Sequence, residues 1–178
     1  MFDFFIRAKP QLGQHLGIFL DVDGVLNTEE DWHHPLTLNR ACVRAFQSAL
    51  DLAAARFEDV SVILSSSWRL GWNPENQPRH LRELCRVVTI AGITPQAQSA
   101  LPKGQRGREI RYYLNRHALD AYVVVDDDIE LFSQDDRMTM PILLTDARTG
   151  FTLPDGKRLI NLVKKWSARA SESHDSLF

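Results

Sequence analysis

Short runs of mostly apolar residues recur along the chain, and each ends at a polar or small residue. Five such runs cover residues 17–20, 60–64, 87–90, 121–125 and 141–144. Runs of this length that lack strict polar alternation are typical of parallel strands that are buried on both faces. The pattern predicts five strands, of which the last is the weakest.

Between these runs the spacing of apolar residues changes from continuous to three- and four-residue steps. An amphipathic helix is predicted within residues 36–57, with Thr37 as its N-cap, and shorter helices at 81–84, 107–116 and 158–166. Alternation of strands and helices predicts the α/β class, as a three-layer open parallel sheet with helices on both faces. Such sheets bind ligands beyond the carboxyl ends of their strands.

Length and composition limit the class of protein further. The 178 residues predict a single domain over 1–166 and a flexible tail over 167–178. The net charge of -2 provides no overall attraction to nucleic acid or an acidic membrane. No apolar run approaches the ~20 residues of a membrane span. We expect a cytoplasmic protein whose cysteines, Cys42 and Cys85, are small buried side chains and not a disulfide scaffold.

Two acidic residues directly follow the first predicted strand. Asp21 and Asp23 are two residues apart in an extended segment, so their side chains point the same way, and Gly24 permits a sharp turn. Adjacent carboxylates near a buried sheet edge repel each other unless a cation lies between them, and hard oxygen ligands suit Mg²⁺. A turn with solvated acids is the alternative, because Asp and Gly are common turn residues.

A second acidic cluster follows the fourth predicted strand. Asp126, Asp127 and Asp128 directly succeed an apolar run, which places them at the same edge of the sheet as Asp21 and Asp23. The two clusters would repel each other across the crevice, and a shared Mg²⁺ removes that repulsion. An exposed run of charge is the alternative, although such runs do not usually begin directly at an apolar strand.

Three serines follow the second predicted strand. Small hydroxyls and backbone N–H groups at the end of a strand can bind a phosphate, although a serine-rich turn explains the same residues. One basic side chain in the crevice would neutralise phosphoryl oxygens, and the others are expected on solvated helix faces. The basic candidates near the second and fourth strands are Arg69, Lys103, Arg106, Arg108 and Arg111.

Residues 19–26, which read Phe-Leu-Asp-Val-Asp-Gly-Val-Leu, resemble the first motif of the haloacid dehalogenase (HAD) superfamily. Ser65 resembles the Ser or Thr of the second motif, and Arg106 the basic residue of the third. Asp126 and Asp127 resemble the acidic pair of the fourth. The resemblance covers roughly residues 15–150 and implies the α/β sheet described above.

Two of these motif positions have competing candidates. Lys103 and Arg108 compete with Arg106 for the third motif, where the superfamily often has a lysine. Ser66 replaces Ser65 in the second motif if the strand ends one residue later.

Residues 62–69 (Val-Ile-Leu-Ser-Ser-Ser-Trp-Arg) and 106–110 (Arg-Gly-Arg-Glu-Ile) resemble a narrower HAD subgroup. That subgroup is associated with multidomain RNA-repair proteins, and Thr145-Asp146 followed by residues 150–152 fits it too. The resemblance implies, by context alone, a role at polynucleotide ends. We find no ligase or kinase module among these residues that would strengthen it.

The resemblance implies a Mg²⁺-dependent phosphomonoester hydrolase. The resemblance implies that Asp21 attacks phosphorus and forms an aspartyl-phosphate. It also implies that Asp23 protonates the leaving oxygen and later activates the attacking water. The Mg²⁺ ligands that it implies are Asp21, the backbone carbonyl of Asp23, and Asp127, with Asp126 binding directly or through water. The side chains that it implies for the phosphoryl oxygens are Ser65 or Ser66, and Arg106 or Lys103.

The gaps between motifs leave no room for a large cap domain. Only 41 residues separate Asp23 from Ser65, and 37 separate Ser65 from Lys103. An open crevice admits a phosphate on a bulky partner such as a nucleic-acid end or a protein, besides a nucleotide or small molecule. Aromatic and imidazole side chains after the first two motifs either stack on a base or pack their loops down: Trp32, His33, His34, Trp68 and Trp72.

Two other functions use the same residues. A phosphate-binding module without turnover would keep the HAD architecture, but the intact set of Asp21, Asp23, Asp126 and Asp127 argues against it. A phosphotransferase differs only in the acceptor that reaches the intermediate. The sequence shows no marker for one substrate class, no membrane partner and no oligomer interface.

Overall fold

A five-stranded parallel sheet forms the centre of the computed structural model, which describes residues 12–34, 37–70, 73, 75, 77–96 and 104–175, the last eight by their backbone alone. The strands are β1 (Gly13–Leu20), β2 (Phe57–Leu64), β3 (Ile90–Ile93), β4 (Ala121–Asp126) and β5 (Ile142–Leu144). Their order in the sheet is β3-β2-β1-β4-β5. The chain thus moves outward on one side of β1 and then restarts on the other, and open α/β sheets bind ligands at such a switch point.

Helices cover both faces of this sheet, which confirms the predicted fold class. They are α1 (Arg40–Ala54), α2 (Arg79–Val87), α3 (Gln105–Leu114), α4 (Gln134–Thr139) and α5 (Leu153–Asp175). Along β1, Ile18 and Leu20 pack in the core beneath α1, α2 and α5, while Phe19 faces the core beneath α3 and α4. Successive residues of a strand point to opposite faces, so one buried strand contributes to both layers. Within the described ranges no further domain is inserted between the strands.

The first helix is shorter than the sequence predicts. Its N-cap is Asn39 and not Thr37, because the Asn39 side chain accepts hydrogen bonds from the backbone N–H groups of Ala41 and Cys42. The helix ends at Ala54, and Phe57 is already the first residue of β2, where it pairs with Gly13. The apolar spacing ran across this boundary because Phe57 is buried in the same core as the helix.

The predicted strand at residues 87–90 is wrong in its position. Val87 ends α2, and β3 runs from Ile90 to Ile93. The run therefore spans the end of α2 and the start of β3, and Leu81, Leu84 and Val88 are buried at helical spacing on the same side.

The backbone of α5 continues to Asp175, past residue 167, where we expected a flexible tail to begin. No Gly or Pro interrupts the sequence after residue 156. The short helix α4 was not predicted. Among the described residues no helix has the length and apolar character needed to cross a membrane.

Candidate active site

Hydrogen bonds beyond the ends of the strands bring three segments together at the carboxyl edge of the sheet. The Asp21 N–H donates to the carbonyl of Val125 in β4, at 2.9 Å. The Ser65 N–H donates to the carbonyl of Leu20 in β1, at 2.8 Å. The sheet ladders therefore extend by one residue into the loops, and they fix the backbone of Asp21 to β4 and that of Ser65 to β1.

Three carboxylates converge at this edge. Asp21, Asp126 and Asp127 each offer one oxygen, and these oxygens lie within 4.8 Å of one another. The Asp23 side chain is not part of this trio. Asp128 also lies apart, because its carboxylate accepts a hydrogen bond from the Glu130 N–H at 2.8 Å and caps a 3₁₀ turn.

Arg106 is the basic residue that the structure places against the acidic trio. Its Nη1 lies 3.2 Å from Asp21 Oδ1 and 3.3 Å from Asp126 Oδ2, and its side chain is buried. Arg108 lies two residues further along α3, on the opposite side of the helix, and is exposed, while Lys103 lies outside the described residues. Of the competing third-motif candidates that can be compared, Arg106 therefore has the position that the motif requires.

Burial makes the three carboxylates difficult to ionise together. It is the largest cause that raises the pKa of Asp126 well above its usual value, and the neighbouring Asp21 raises it further while Arg106 lowers it. Burial also raises the pKa of Asp21, against the opposing effect of Arg106. The pKa of Asp127 is raised to about 6 by burial and by Asp21. The single guanidinium of Arg106 therefore cannot neutralise three ionised carboxylates. A set of carboxylate oxygens with excess negative charge fits a hard divalent cation as its ligand.

The two serines proposed for the second motif differ in their contacts. Ser66 is buried, its hydroxyl makes a hydrogen bond that lowers the pKa of Asp21, and its Oγ accepts the N–H of Trp68 at 3.3 Å. Ser65 is also buried, and its Oγ has no hydrogen-bond partner among the described residues. Ser66 is therefore the serine whose hydroxyl contacts the Asp21 carboxylate, while the Ser65 hydroxyl is buried without a partner among the described residues.

Asp23 is held apart from the trio by two side chains that the sequence did not assign to the site. The indole Nε1 of Trp68 lies 3.0 Å from each oxygen of the Asp23 carboxylate. The Asn27 amide donates to Asp23 Oδ1 at 2.9 Å. Trp68 is only 3% exposed, so of the two alternatives for this side chain the structure favours packing of its loop over stacking on a base.

The other aromatic and imidazole candidates lie around this loop. Trp32 is 46% exposed, and its Nε1 donates to Asn27 Oδ1 at 3.2 Å, so part of its ring remains open to solvent. His33 and His34 are exposed, and Trp72 lies outside the described residues.

Gly24 is required by the close approach of the two acidic loops. Its φ is +68°, a backbone conformation that residues other than glycine rarely adopt. A Cβ at this position would overlap the carboxylate of Asp127. The Gly24 carbonyl accepts a hydrogen bond from the hydroxyl of Thr145 at 2.9 Å. The Phe151 N–H donates to the next carbonyl, that of Val25, at 2.8 Å. The segment after β5 therefore holds the loop that contains Gly24 and Val25 in place through these two hydrogen bonds.

Arg69 stabilises the backbone around the site and does not contact the acidic trio. Its Nη2 lies 2.7 Å from Glu109 Oε2, and both side chains are buried. Its Nη1 donates to the Ser66 carbonyl at 2.6 Å, and its Nε donates to the Thr94 carbonyl at 3.1 Å. Each guanidinium nitrogen thus has a protein partner, and Arg69 fixes the serine segment to β3 and α3.

Comparison with known proteins is consistent with this geometry. A model of the family described as the HAD domain in Swiss Army Knife RNA repair proteins matches residues 17–155. A search of curated proteins found no match. The matched region contains the acidic trio, both serines and Arg106. Because that region covers most of the 178 residues, the chain belongs to the family of HAD domains of Swiss Army Knife RNA repair proteins.

Proposed function

We propose that this protein is a Mg²⁺-dependent phosphomonoester hydrolase that acts through an aspartyl-phosphate on nucleotide or polynucleotide ends. The observation that supports this proposal is the buried Asp21 carboxylate, which contacts Arg106 and lies close to Asp126 and Asp127. A carboxylate in that position is a nucleophile next to groups that bind phosphoryl oxygens. The role at polynucleotide ends is supported by the family description, which refers to RNA repair proteins.

In the first step Asp21 is the nucleophile. One of its carboxylate oxygens forms a bond to phosphorus while the bond from phosphorus to the ester oxygen breaks. The electron pair of the broken bond stays on the ester oxygen, which takes a proton from the Asp23 carboxyl group and leaves as an alcohol. Asp23 is suited to this role because its carboxylate lies outside the trio and accepts hydrogen bonds from Asn27 and Trp68, which fix its position.

In the second step water releases the phosphate. Asp23, now ionised, accepts a proton from a water molecule whose oxygen bonds to phosphorus, and the bond between phosphorus and the Asp21 oxygen breaks. Asp21 returns as a carboxylate, and Asp23 is again protonated. Each group therefore ends the cycle in its starting state.

The phosphoryl group needs positive charge and hydrogen-bond donors around it. Arg106 provides the charge, the Ser66 hydroxyl is a donor beside Asp21, and the buried Ser65 hydroxyl is a second donor that has no partner among the described residues. Asp21, Asp126, Asp127 and the Asp23 carbonyl would hold Mg²⁺, which supplies further positive charge and keeps the nucleophile and the phosphoryl group adjacent.

The test is phosphate release with and without Mg²⁺ from a panel of phosphomonoesters. The panel contains 3′- and 5′-phosphorylated oligonucleotides, nucleotides and sugar phosphates. We expect Mg²⁺-dependent release that is fastest from the oligonucleotides. No release from any member would contradict the proposal and favour a binding module. Transfer of phosphate to an added alcohol in place of release to water would instead indicate a phosphotransferase.

Mg²⁺ is expected to stabilise the folded protein more at pH 7.5 than at pH 5. The pKa of Asp127 is raised from 3.8 to about 6, so without metal this group contributes stability at low pH that is lost as the pH rises from 3.8 to about 6. A bound cation requires ionised ligands, so protons compete with it at pH 5. At about 100 times the dissociation constant, the metal adds about 2.7 kcal/mol at pH 7.5, which corresponds to roughly 5–10 °C in Tm.

The measurement is thermal unfolding in EDTA and in Mg²⁺ at the two pH values. Asp127→Asn serves as the control, because it removes both a ligand and the group that titrates. Equal Mg²⁺-induced shifts at pH 5 and pH 7.5 would show that the ion binds away from these carboxylates.

A further inference from the structure

We propose that Trp68 is a positioning residue for Asp23, whose carboxylate it orients, together with Asn27, toward the ester oxygen of the substrate. The inference rests on the proposed function, because it assigns Trp68 a part in the proton transfer to the leaving group. Neither the indole nor the Asn27 amide touches the phosphoryl group in this assignment. Both act through Asp23 alone.

The hydrogen bonds to Asp23 distinguish its two oxygens. Oδ1 accepts from Asn27 Nδ2 at 2.9 Å and shares the Trp68 indole N–H at 3.0 Å, whereas Oδ2, among the residues that the structure describes, accepts that shared N–H alone. An indole and an amide NH₂ donate and cannot accept through these atoms. Oδ2 is therefore the oxygen with free capacity to carry the transferable proton, and the plane of the carboxylate is fixed by two donors from different segments.

Trp68 is itself held rigidly. It lies in the 3₁₀ turn Ser67–Arg69, its backbone N–H donates to Ser66 Oγ at 3.3 Å, and its side chain is buried. The His80 ring packs edge-on against it at a centroid distance of 5.4 Å. The adjacent Arg69 anchors the same turn to Glu109. The donor that orients Asp23 thus comes from the segment that also carries the second-motif serines.

A buried indole N–H needs an acceptor, and its choice of acceptor is informative. A tryptophan that only fills space can use any nearby backbone carbonyl. Trp68 instead donates to both oxygens of one carboxylate, 45 residues earlier in the chain. The packing therefore places the N–H where it constrains the proposed acid/base residue.

The test is the substitution Trp68→Phe, which keeps an aromatic ring in the core and removes the N–H. General acid catalysis matters for a leaving group that departs poorly as an anion and matters little for one that departs well. For an alkyl phosphomonoester such as a 3′-phosphorylated oligonucleotide, we expect kcat/KM, which reports the first step without the later attack of water, to fall by about tenfold, a part of the ~10²–10⁴-fold that a general acid contributes. For 4-nitrophenyl phosphate the expected fall is below about twofold, because this leaving group scarcely needs the proton.

Two controls separate positioning from structural damage. His80→Leu removes the ring that packs against Trp68 but leaves the Trp68 N–H in place. We expect it to lower kcat/KM for both substrates by the same small factor. In an Asp23→Asn background, Trp68→Phe should have almost no further effect, because the residue through which it acts is already changed. Equal losses on the two substrates, or equal losses with and without Asp23, would overturn the proposal.

A readout without turnover tests the geometry itself. The indole N–H resonance of Trp68, assigned by its absence in Trp68→Phe or by backbone correlation, should move upfield in Asp23→Ala because the oxygens that accept its hydrogen bond are lost. An unchanged resonance would also overturn the proposal, and this measurement decides the case if Trp68→Phe does not fold. Wild-type protein that releases no phosphate from either ester, with a resonance that does respond to Asp23→Ala, would show that the proposed function has failed while the contact stands.

Discussion

Asp21→Asn is expected to abolish phosphate release, lowering kcat by roughly 10⁴-fold or more. An amide has no ionised oxygen that can attack phosphorus, and it also removes the negative charge of one of the three converging carboxylates. The measurement is steady-state phosphate release with Mg²⁺ at saturating substrate. Near-normal turnover by this variant would show that Asp21 is not the nucleophile.

The same substitution should leave the fold intact. Burial raises the pKa of Asp21, so the ionised side chain is disfavoured in the metal-free protein and a neutral amide of equal size avoids that cost. We therefore expect a Tm in EDTA that is no lower than that of the wild type, together with a smaller shift on adding Mg²⁺. Asp128→Asn is the matched control, because Asp128 belongs to the same acidic run but caps a 3₁₀ turn. Its kcat should stay close to that of the wild type.

The main features of the fold and the acidic site could be predicted because they depend on local pattern. Buried parallel strands are continuous apolar runs, and each of these runs ends where its strand meets the ligand-binding edge. Asp21 and Asp126 follow two such runs directly, so the sheet itself brings them together. Neither inference required knowledge of a contact between distant side chains.

The remainder depends on packing that a single sequence does not reveal. Trp68 reads as an aromatic in a loop, and nothing in its neighbours indicates that its indole reaches Asp23. Arg69 reads as one more basic residue near the crevice, but its nitrogens are taken up by Glu109 and two backbone carbonyls. The position of β3 was missed for a similar reason, since an apolar run that begins in a buried helix resembles a buried strand.

Arg69→Met is expected to lower the free energy of unfolding by about 3–5 kcal/mol, because it leaves the Glu109 carboxylate buried without its guanidinium partner. It also leaves the carbonyls of Ser66 and Thr94 without the donors that Arg69 supplies. The measurement is urea unfolding at equilibrium. Arg79→Met is the matched control, since Arg79 makes an exposed pair with Glu83 on α2, and removing it should change stability little.

The double variant Arg69→Met/Glu109→Leu distinguishes a buried-charge cost from a loss of packing. Replacing both partners of a buried pair by apolar side chains removes the unpaired charge, so the double variant should recover at least half of the lost stability. If the double variant is as unstable as Arg69→Met alone, the lost stability arises instead from the backbone carbonyls of Ser66 and Thr94, which have lost their donors. Activity need not follow stability here: because Arg69 holds the segment that carries Ser66 and Trp68, the double variant should fold and still turn over poorly.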